Sequence, residues 1–439
     1  MARDVQIMTL GRLAVEQGGE ELTGFVSQKT LVLFAYLAAH RHIHQREVIA
    51  AQFWNNTNGP QAMKNLRTVL SSLQKQLGDY IMVDRQTVGI DPDAPVRFDV
   101  QDFDAGLDAV APYKDLPGYP PDNVLEQVQD ALELYKGDFM AGVRVDNSPD
   151  LDTWITVERG RLRDRMVDAL YLLSGGGLAI GDFAAGIDYA RQIVALDPLW
   201  EPGQRRLIEL LSFGGYRADA VAQYNTLVDI LEDELGIEPE QETVNLITDV
   251  KRGVLTPPAP PKHHLPATLD LFIDRPEEIA HISEYLADPD CRLITLLGPG
   301  GVGKTRLALE AAMRHRNSYP GGVHFVSLAP VETEDFVAQQ IMGVMEIAAS
   351  RDHTHPDRVL AETLRDRRAL IVLDNMEHLL GAADLLGTLL LTAPQLKLVV
   401  TSRERLSLQG EWVVPINGMS VSDNRFDVPQ GAVALFDHH

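Results

Sequence analysis

Eight consecutive residues constrain this chain more than any other feature: Gly298-Pro299-Gly300-Gly301-Val302-Gly303-Lys304-Thr305 fit the pattern G-x-x-x-x-G-K-[ST]. An apolar run at residues 292–297 precedes them, and a helix-forming stretch at 306–314 follows. Strand, glycine-rich turn and helix in that order make a phosphate loop. Glycine lets the backbone turn so that successive N–H groups converge on one phosphate, and the helix N-terminus adds positive potential. The expected nucleotide contacts are Gly298, Gly300, Gly301, Val302, Gly303, Lys304 and Thr305. Lys304 is spaced to reach the β- and γ-phosphates of ATP or the terminal phosphate of ADP, and the Thr305 hydroxyl to ligate Mg2+. Further β-like runs at 323–328, 369–373, 396–400 and 412–416, most of them separated by helical stretches, predict a parallel α/β sheet of the P-loop NTPase kind.

A bound Mg2+ needs a second oxygen ligand. The run Ala369-Leu370-Ile371-Val372-Leu373-Asp374 ends in an acid, as a Walker B strand does, and assigns Asp374 to the metal. Glu377 is a candidate general base, or else an acid favoured near a helix N-terminus. Asn375 stands where many hydrolytic NTPases carry a second acid, so any turnover is expected to be slow and to serve a switch. The run Leu398-Val399-Val400-Thr401-Ser402-Arg403 delivers Arg403 to the edge of the sheet where open α/β folds bind ligands. There it can contact the γ-phosphate.

Upstream, residues 254–268 hold five prolines and read as an extended linker. It separates the NTPase region, 269–439, from a helix-rich region, 101–253. Within the latter, Gly181-Asp182-Phe183 and Gly215-Tyr216-Arg217 open two similar helix pairs 34 residues apart, the tetratricopeptide period. Residues 1–100 begin with short β-like pieces around Val5–Ile7 and 10–15. Helix patterns follow from Ser27, at 45–54 and at 61–77, then two short strands at 80–83 and 87–90. Strands, three helices and a hairpin predict an OmpR-like winged helix-turn-helix.

The net charge of −24 speaks against nucleic acid at first sight. It is unevenly placed: residues 1–100 carry ten Lys/Arg against ten Asp/Glu, whereas residues 101–252 carry 13 against 29. Residues 24–78 hold Lys29, Arg41, Arg46, Lys64, Arg67 and Lys75 against Glu47 alone. The third helix buries a stripe of Leu66, Val69, Leu70, Leu73 and Leu77 and has no acid anywhere. Its other face supplies the candidate DNA contacts: Lys64, Arg67 and Lys75 for phosphates or guanine edges, and Asn65, Thr68, Ser71 and Ser72 as short donors. A merely solvated charged face is the alternative. The alternating Arg159, Arg161, Arg163 and Arg165 are expected to be solvated, as are His263, His264, His353 and His355. One cysteine, Cys291, excludes an internal disulfide. The N-terminus has no signal pattern, and no apolar run reaches membrane-spanning length. These features predict a cytoplasmic protein with no membrane partner.

The strings LGRLAVEQGGEELTG, SQKTLVLFAYLAAH, REVIAAQFW and NLRTVLSSLQKQLG resemble the winged-helix domain of Streptomyces-type antibiotic regulatory proteins. Residues 122–252, ending in LEDELGIEPEQET, resemble their bacterial transcriptional activator domain. GPGGVGKTRLALEAA, VHFVSLAPV, LIVLDNMEHL and LVVTSRERL are similar to the NB-ARC-type ATPase domain of the STAND class. The resemblance to the large, AfsR-like regulators implies a promoter-binding activator that contacts RNA polymerase, dimerises or assembles further, and carries an ATP/ADP switch. It also implies that Arg275, with Phe272 and Ile273, approaches the nucleotide, although Asp274 replaces the usual glycine. The family continues beyond the ATPase core, so residues 269–439 read as an ATPase domain incomplete at its C-terminus. The resulting expectation is a sequence-specific activator, of a secondary-metabolite gene cluster by resemblance. The competing reading is a STAND-class signalling or defence ATPase whose N-terminal domain binds protein. Salt-sensitive DNA binding separates the two.

Overall fold

A computed structural model of the chain describes residues 4–114, 118–145, 148–259, 261–266, 275–348 and 355–418. Phe272, Ile273, Asp274 and His353 lie outside the described residues. The chain divides into two compact units: Met1–His263 with Arg314–Gly322, and His264–Met313 with Val323–His439.

The first unit opens with β1 (Val5–Met8), β2 (Ala14–Gln17) and β3 (Glu20–Glu21). Then come α1 (Gln28–His40), β4 (His44–Gln45), α2 (Arg46–Phe53) and α3 (Gly59–Leu77). The hairpin β5 (Ile81–Val83) and β6 (Thr87–Ile90) follows, and β7 (Val96–Phe98) returns beside β1. One sheet runs β3-β2-β1-β7 and a second β4-β6-β5, with Met82 opposite Gly89. Helix α3 starts where Asn58 accepts a hydrogen bond from the Gln61 backbone N–H at 2.9 Å, with Pro60 in its first turn. Its apolar stripe, Leu66, Val69, Leu70, Leu73 and Leu77, is buried.

Helix α4 (Asp99–Asp108) begins inside this winged helix and runs through residue 100. Buried Asp99 accepts bonds from the Thr9 N–H, the Thr9 hydroxyl and the Leu10 N–H at 2.5–2.7 Å. Burial raises its pKa, and these donors pull it back. Next come α5 (Asp122–Leu134) and the long α6 (Pro149–Ile180). One continuous apolar core runs from Val5 through Phe103 and Phe139 to Ile193.

The arginines of α6 correct the expectation of solvated charge. Arg159 donates to the Phe139 and Met140 carbonyls. Arg161 and Arg165 share Asp104, Arg165 also meets Asp108, and Arg163 binds Asp138. The partners lie up to 61 residues away, so the sequence pattern around the arginines holds no sign of them. The helix pairs follow: α7 (Phe183–Leu196) with α8 (Glu201–Phe213), then α9 (Arg217–Leu235) with α10 (Gln241–Arg252). Gly181 and Gly215, at matching positions before α7 and α9, both have left-handed φ (81° and 87°). Their 34-residue offset is thus a repeated turn geometry.

The second unit holds α11 (Pro276–Ala287), β8 (Leu293–Leu297), α12 (Lys304–Arg314), β9 (Val323–Ser327) and α13 (Val337–Val344). It continues with α14 (Pro356–Leu364), β10 (Leu370–Asp374), α15 (Ala383–Thr392), β11 (Lys397–Ser402) and β12 (Glu411–Pro415). The strands form one parallel sheet in the order β12-β8-β11-β10-β9. Leu370–Leu373 are fully buried on both faces, which explains their uninterrupted apolar run. His264 is a second correction. It bridges to the edge of β9, its Nδ1 lies 2.9 Å from that of buried His324, and their rings stack.

Candidate functional site

The parallel sheet brings the residues of one candidate site to a single edge. Between β8 and α12 the chain passes through Gly301 and Gly303, both left-handed (φ 80° and 94°), a conformation that side chains rarely adopt. Gly298 admits no side chain, because a Cβ there would lie 2.4 Å from the Ile416 carbonyl. Lys304 is buried at the head of α12, and its Nζ donates to the Gly298 and Pro299 carbonyls at 2.7 and 3.0 Å. The Thr305 hydroxyl donates to Asp374 Oδ1 at 2.6 Å. Thr401, near the end of β11, donates to the same oxygen at 2.6 Å and accepts from the Asn375 N–H. Asn375 has φ 65°, which turns the chain sharply after Asp374.

This donor set fits a nucleotide with Mg2+. An open loop with two left-handed glycines, one ammonium and a hydroxyl–carboxylate pair are the groups that phosphates and a hard cation require. Arg403 lies against the loop: a Cβ on Gly300 would meet its guanidinium at 2.9 Å. Its Nε pairs with Glu377 Oε1 at 3.0 Å. Glu377 Oε2 is buried with no hydrogen-bond partner. Arg275 donates to the Val302 and Asn417 carbonyls at 3.1 Å and reaches Glu278. The bond to Val302 ties it to the phosphate loop.

The second candidate site is the outer face of α3. Lys64, Arg67, Thr68, Ser71 and Lys75 are exposed, and none of the three cations bonds to the described protein. Asn65 and Ser72 stand at the flank, half-buried. Asn65 accepts from Gln61 Nε2, and Ser72 Oγ accepts from the Val26 N–H. The other basic residues of this region are engaged elsewhere. Lys29 donates to the Phe53 carbonyl, Arg41 to the Val96 carbonyl and Arg46 to the Asp84 carbonyl. The cations of residues 24–78 that have no bond to the described protein are thus those of α3. Sequence reasoning missed Arg85, exposed at the tip of the β5–β6 hairpin. Asp84 shapes that tip by accepting from the Gln86 and Thr87 N–H groups, which hold its carboxyl below the usual range. The polar turn Asp84-Arg85-Gln86 between two short strands was the available signal.

Two family models match parts of the chain. The family model of the bacterial transcriptional activator domain matches residues 98–251, and that of the NB-ARC domain, a nucleotide-binding module, matches residues 275–408. The regulatory protein AfsR of Streptomyces griseus is 26% identical over 98% of this chain and 44% of its own length. AfsR of Streptomyces coelicolor is 26% identical over 97% of this chain and likewise 44% of its own length. A Mycobacterium tuberculosis protein named as an HTH-type transcriptional regulator is 40% identical over 31% of this chain and 15% of its own. The chain therefore spans less than half the length of the AfsR relatives it matches. Among the described residues no helix is long and apolar enough to cross a membrane. In carrying a match to the bacterial transcriptional activator domain followed by a match to the NB-ARC domain, the chain is similar in architecture to the AfsR regulators.

Proposed function

We propose that the chain is a sequence-specific DNA-binding transcriptional activator whose second unit is a switch operated by ATP or ADP with Mg2+. Residues 1–100 bind promoter DNA, residues 101–253 form the activator domain, 254–268 link, and 269–439 bind nucleotide. By the same reading the chain activates a secondary-metabolite cluster, contacts RNA polymerase and works as a homo-oligomer. The observation that carries the DNA reading is α3, acid-free along its whole length, with Lys64, Arg67 and Lys75 exposed and without a partner among the described residues.

In the second unit, Lys304 and the loop N–H groups hold phosphates, and Thr305 with Asp374 holds the metal, which when bound neutralises phosphate oxygens. Glu377 steadies Arg403 beside the loop at 3.0 Å. An arginine so placed senses how many phosphates are present, because each added charge competes with Glu377 for it. Nucleotide then shifts the protein between forms by no more than its difference in affinity for them. The test uses a duplex selected by the purified chain from a random-sequence pool. Binding with ATP should differ from binding with ADP, and Lys304→Ala should erase that difference. Failure to select any duplex would refute the DNA reading.

A further inference from the structure

The helical part of the first unit reaches the edge of the α3 face. The segment from Phe139 to Val145 is tied to the winged helix at its start. Met140 N–H donates to the Thr9 carbonyl, Ala141 N–H to the Gly11 carbonyl, and Phe139 bridges to Leu10. Arg159 of α6 holds the Phe139 and Met140 carbonyls from the other side. Beyond the segment, Ser148 is fixed as well, donating to the Phe53 carbonyl and accepting from Lys29 Nζ. Val143 and Val145 are buried, so the alternation turns Arg144 outward. Arg144 is exposed and bonds to none of the described residues.

Arg144 opens onto a groove of about 450 Å3 that Asn65 and Thr68 of α3 also line. Ser27, Gln28 and Lys29 lie along the same groove, and among the described residues no Asp or Glu lines it. In a chain with 63 acidic residues, a groove whose described lining holds no acid, and whose arginine has no partner among the described residues, suits an anion. It lies beside the helix face assigned to DNA, so the anion at hand is a backbone phosphate.

We propose that Arg144, supplied by the activator domain, neutralises a DNA phosphate flanking the site read by α3, so that the DNA-binding surface is built from both parts of the first unit. This rests on the DNA reading above. A phosphate contact carries little sequence information but fixes register. Its signature is salt dependence, because each neutralised phosphate releases condensed counterion.

The test measures affinity of the full chain for the selected duplex across a salt series of about 50–200 mM, where each phosphate contact contributes about 0.9 to the log–log slope. Arg144→Gln should flatten the slope by roughly one contact and weaken binding about threefold to tenfold near the upper end. Arg144→Lys, which keeps the charge, should restore the slope. Arg67→Gln serves as the reference. If Arg67→Gln flattens the slope and Arg144→Gln does not, the present proposal fails and the DNA reading stands. If neither variant changes it, the α3 reading itself fails. If Arg144→Lys behaves like Arg144→Gln, charge at this position is not what holds the DNA, and the proposal also fails. An unchanged thermal transition in both Arg144 variants confirms that the comparison is between folded proteins.

Discussion

Helices α3 and α6 both carry closely spaced cations, and the fold treats them in opposite ways. On α6, Arg159, Arg161, Arg163 and Arg165 are all engaged, by two carbonyls and by Asp104, Asp108 and Asp138. On α3, Lys64, Arg67 and Lys75 point outward with no partner in the described protein. The arginines of α6 join two parts of one unit, while the cations of α3 remain available to a ligand. What separates them is the neighbourhood. Helix α4 brings acids to α6, and α3 packs through an apolar stripe that brings none.

In the second unit both cations at the phosphate loop are engaged: Arg275 donates to the Val302 and Asn417 carbonyls, and Lys304 to the Gly298 and Pro299 carbonyls of the loop itself. Lys304→Ala should lower affinity for a fluorescent ATP analogue by at least about 100-fold, since it removes a charge-assisted contact to phosphate. An unchanged titration would show that the loop binds no nucleotide. For the engaged cations of α6 the effect should be on stability. Asp104→Asn takes the shared partner from Arg161 and Arg165 and should cost about 1–2 kcal/mol in urea unfolding, more than an isolated surface pair. The salt slope of DNA binding should stay as it was. A changed slope with unchanged stability would reverse the roles assigned to α3 and α6.

The free cations should show the converse pattern. Arg67→Gln should weaken DNA binding about threefold to tenfold and remove about 0.9 from the salt slope, with no change in unfolding. The smallest effect is expected where a pair is merely exposed. Arg358 and Glu362 meet at 2.9 Å on α14, with side chains 77% and 54% exposed. Arg358→Gln should alter stability by less than about 0.5 kcal/mol. A larger loss there would mean that surface pairing, and not neighbourhood, governs these helices.

What was legible in the sequence depended on the range of the interactions. The parallel strands fall within a residue or two of their apolar runs, most plainly β10, where burial on both faces forces a continuous apolar stretch. The phosphate loop was legible because its chemistry is local: Gly301, Gly303, Lys304 and Thr305 act within one turn. Helix α3 was legible from its period. The engaged arginines were not, since Asp104 and Asp138 meet α6 only after the chain has folded back. His264 looked like a linker histidine and instead reaches His324, 60 residues on. Arg144 carries no local signal in the sequence, and its outward direction follows from the burial of Val143 and Val145 on either side.

The central claim is that DNA meets the cations the fold leaves free. The salt dependence of affinity for a duplex selected from a random pool tests it most directly. Three to five phosphate contacts predict a steep decline in binding, with a slope of about −2.7 to −4.5 on logarithmic axes. Binding that holds level across the same salt range, or no duplex selected at all, would contradict it.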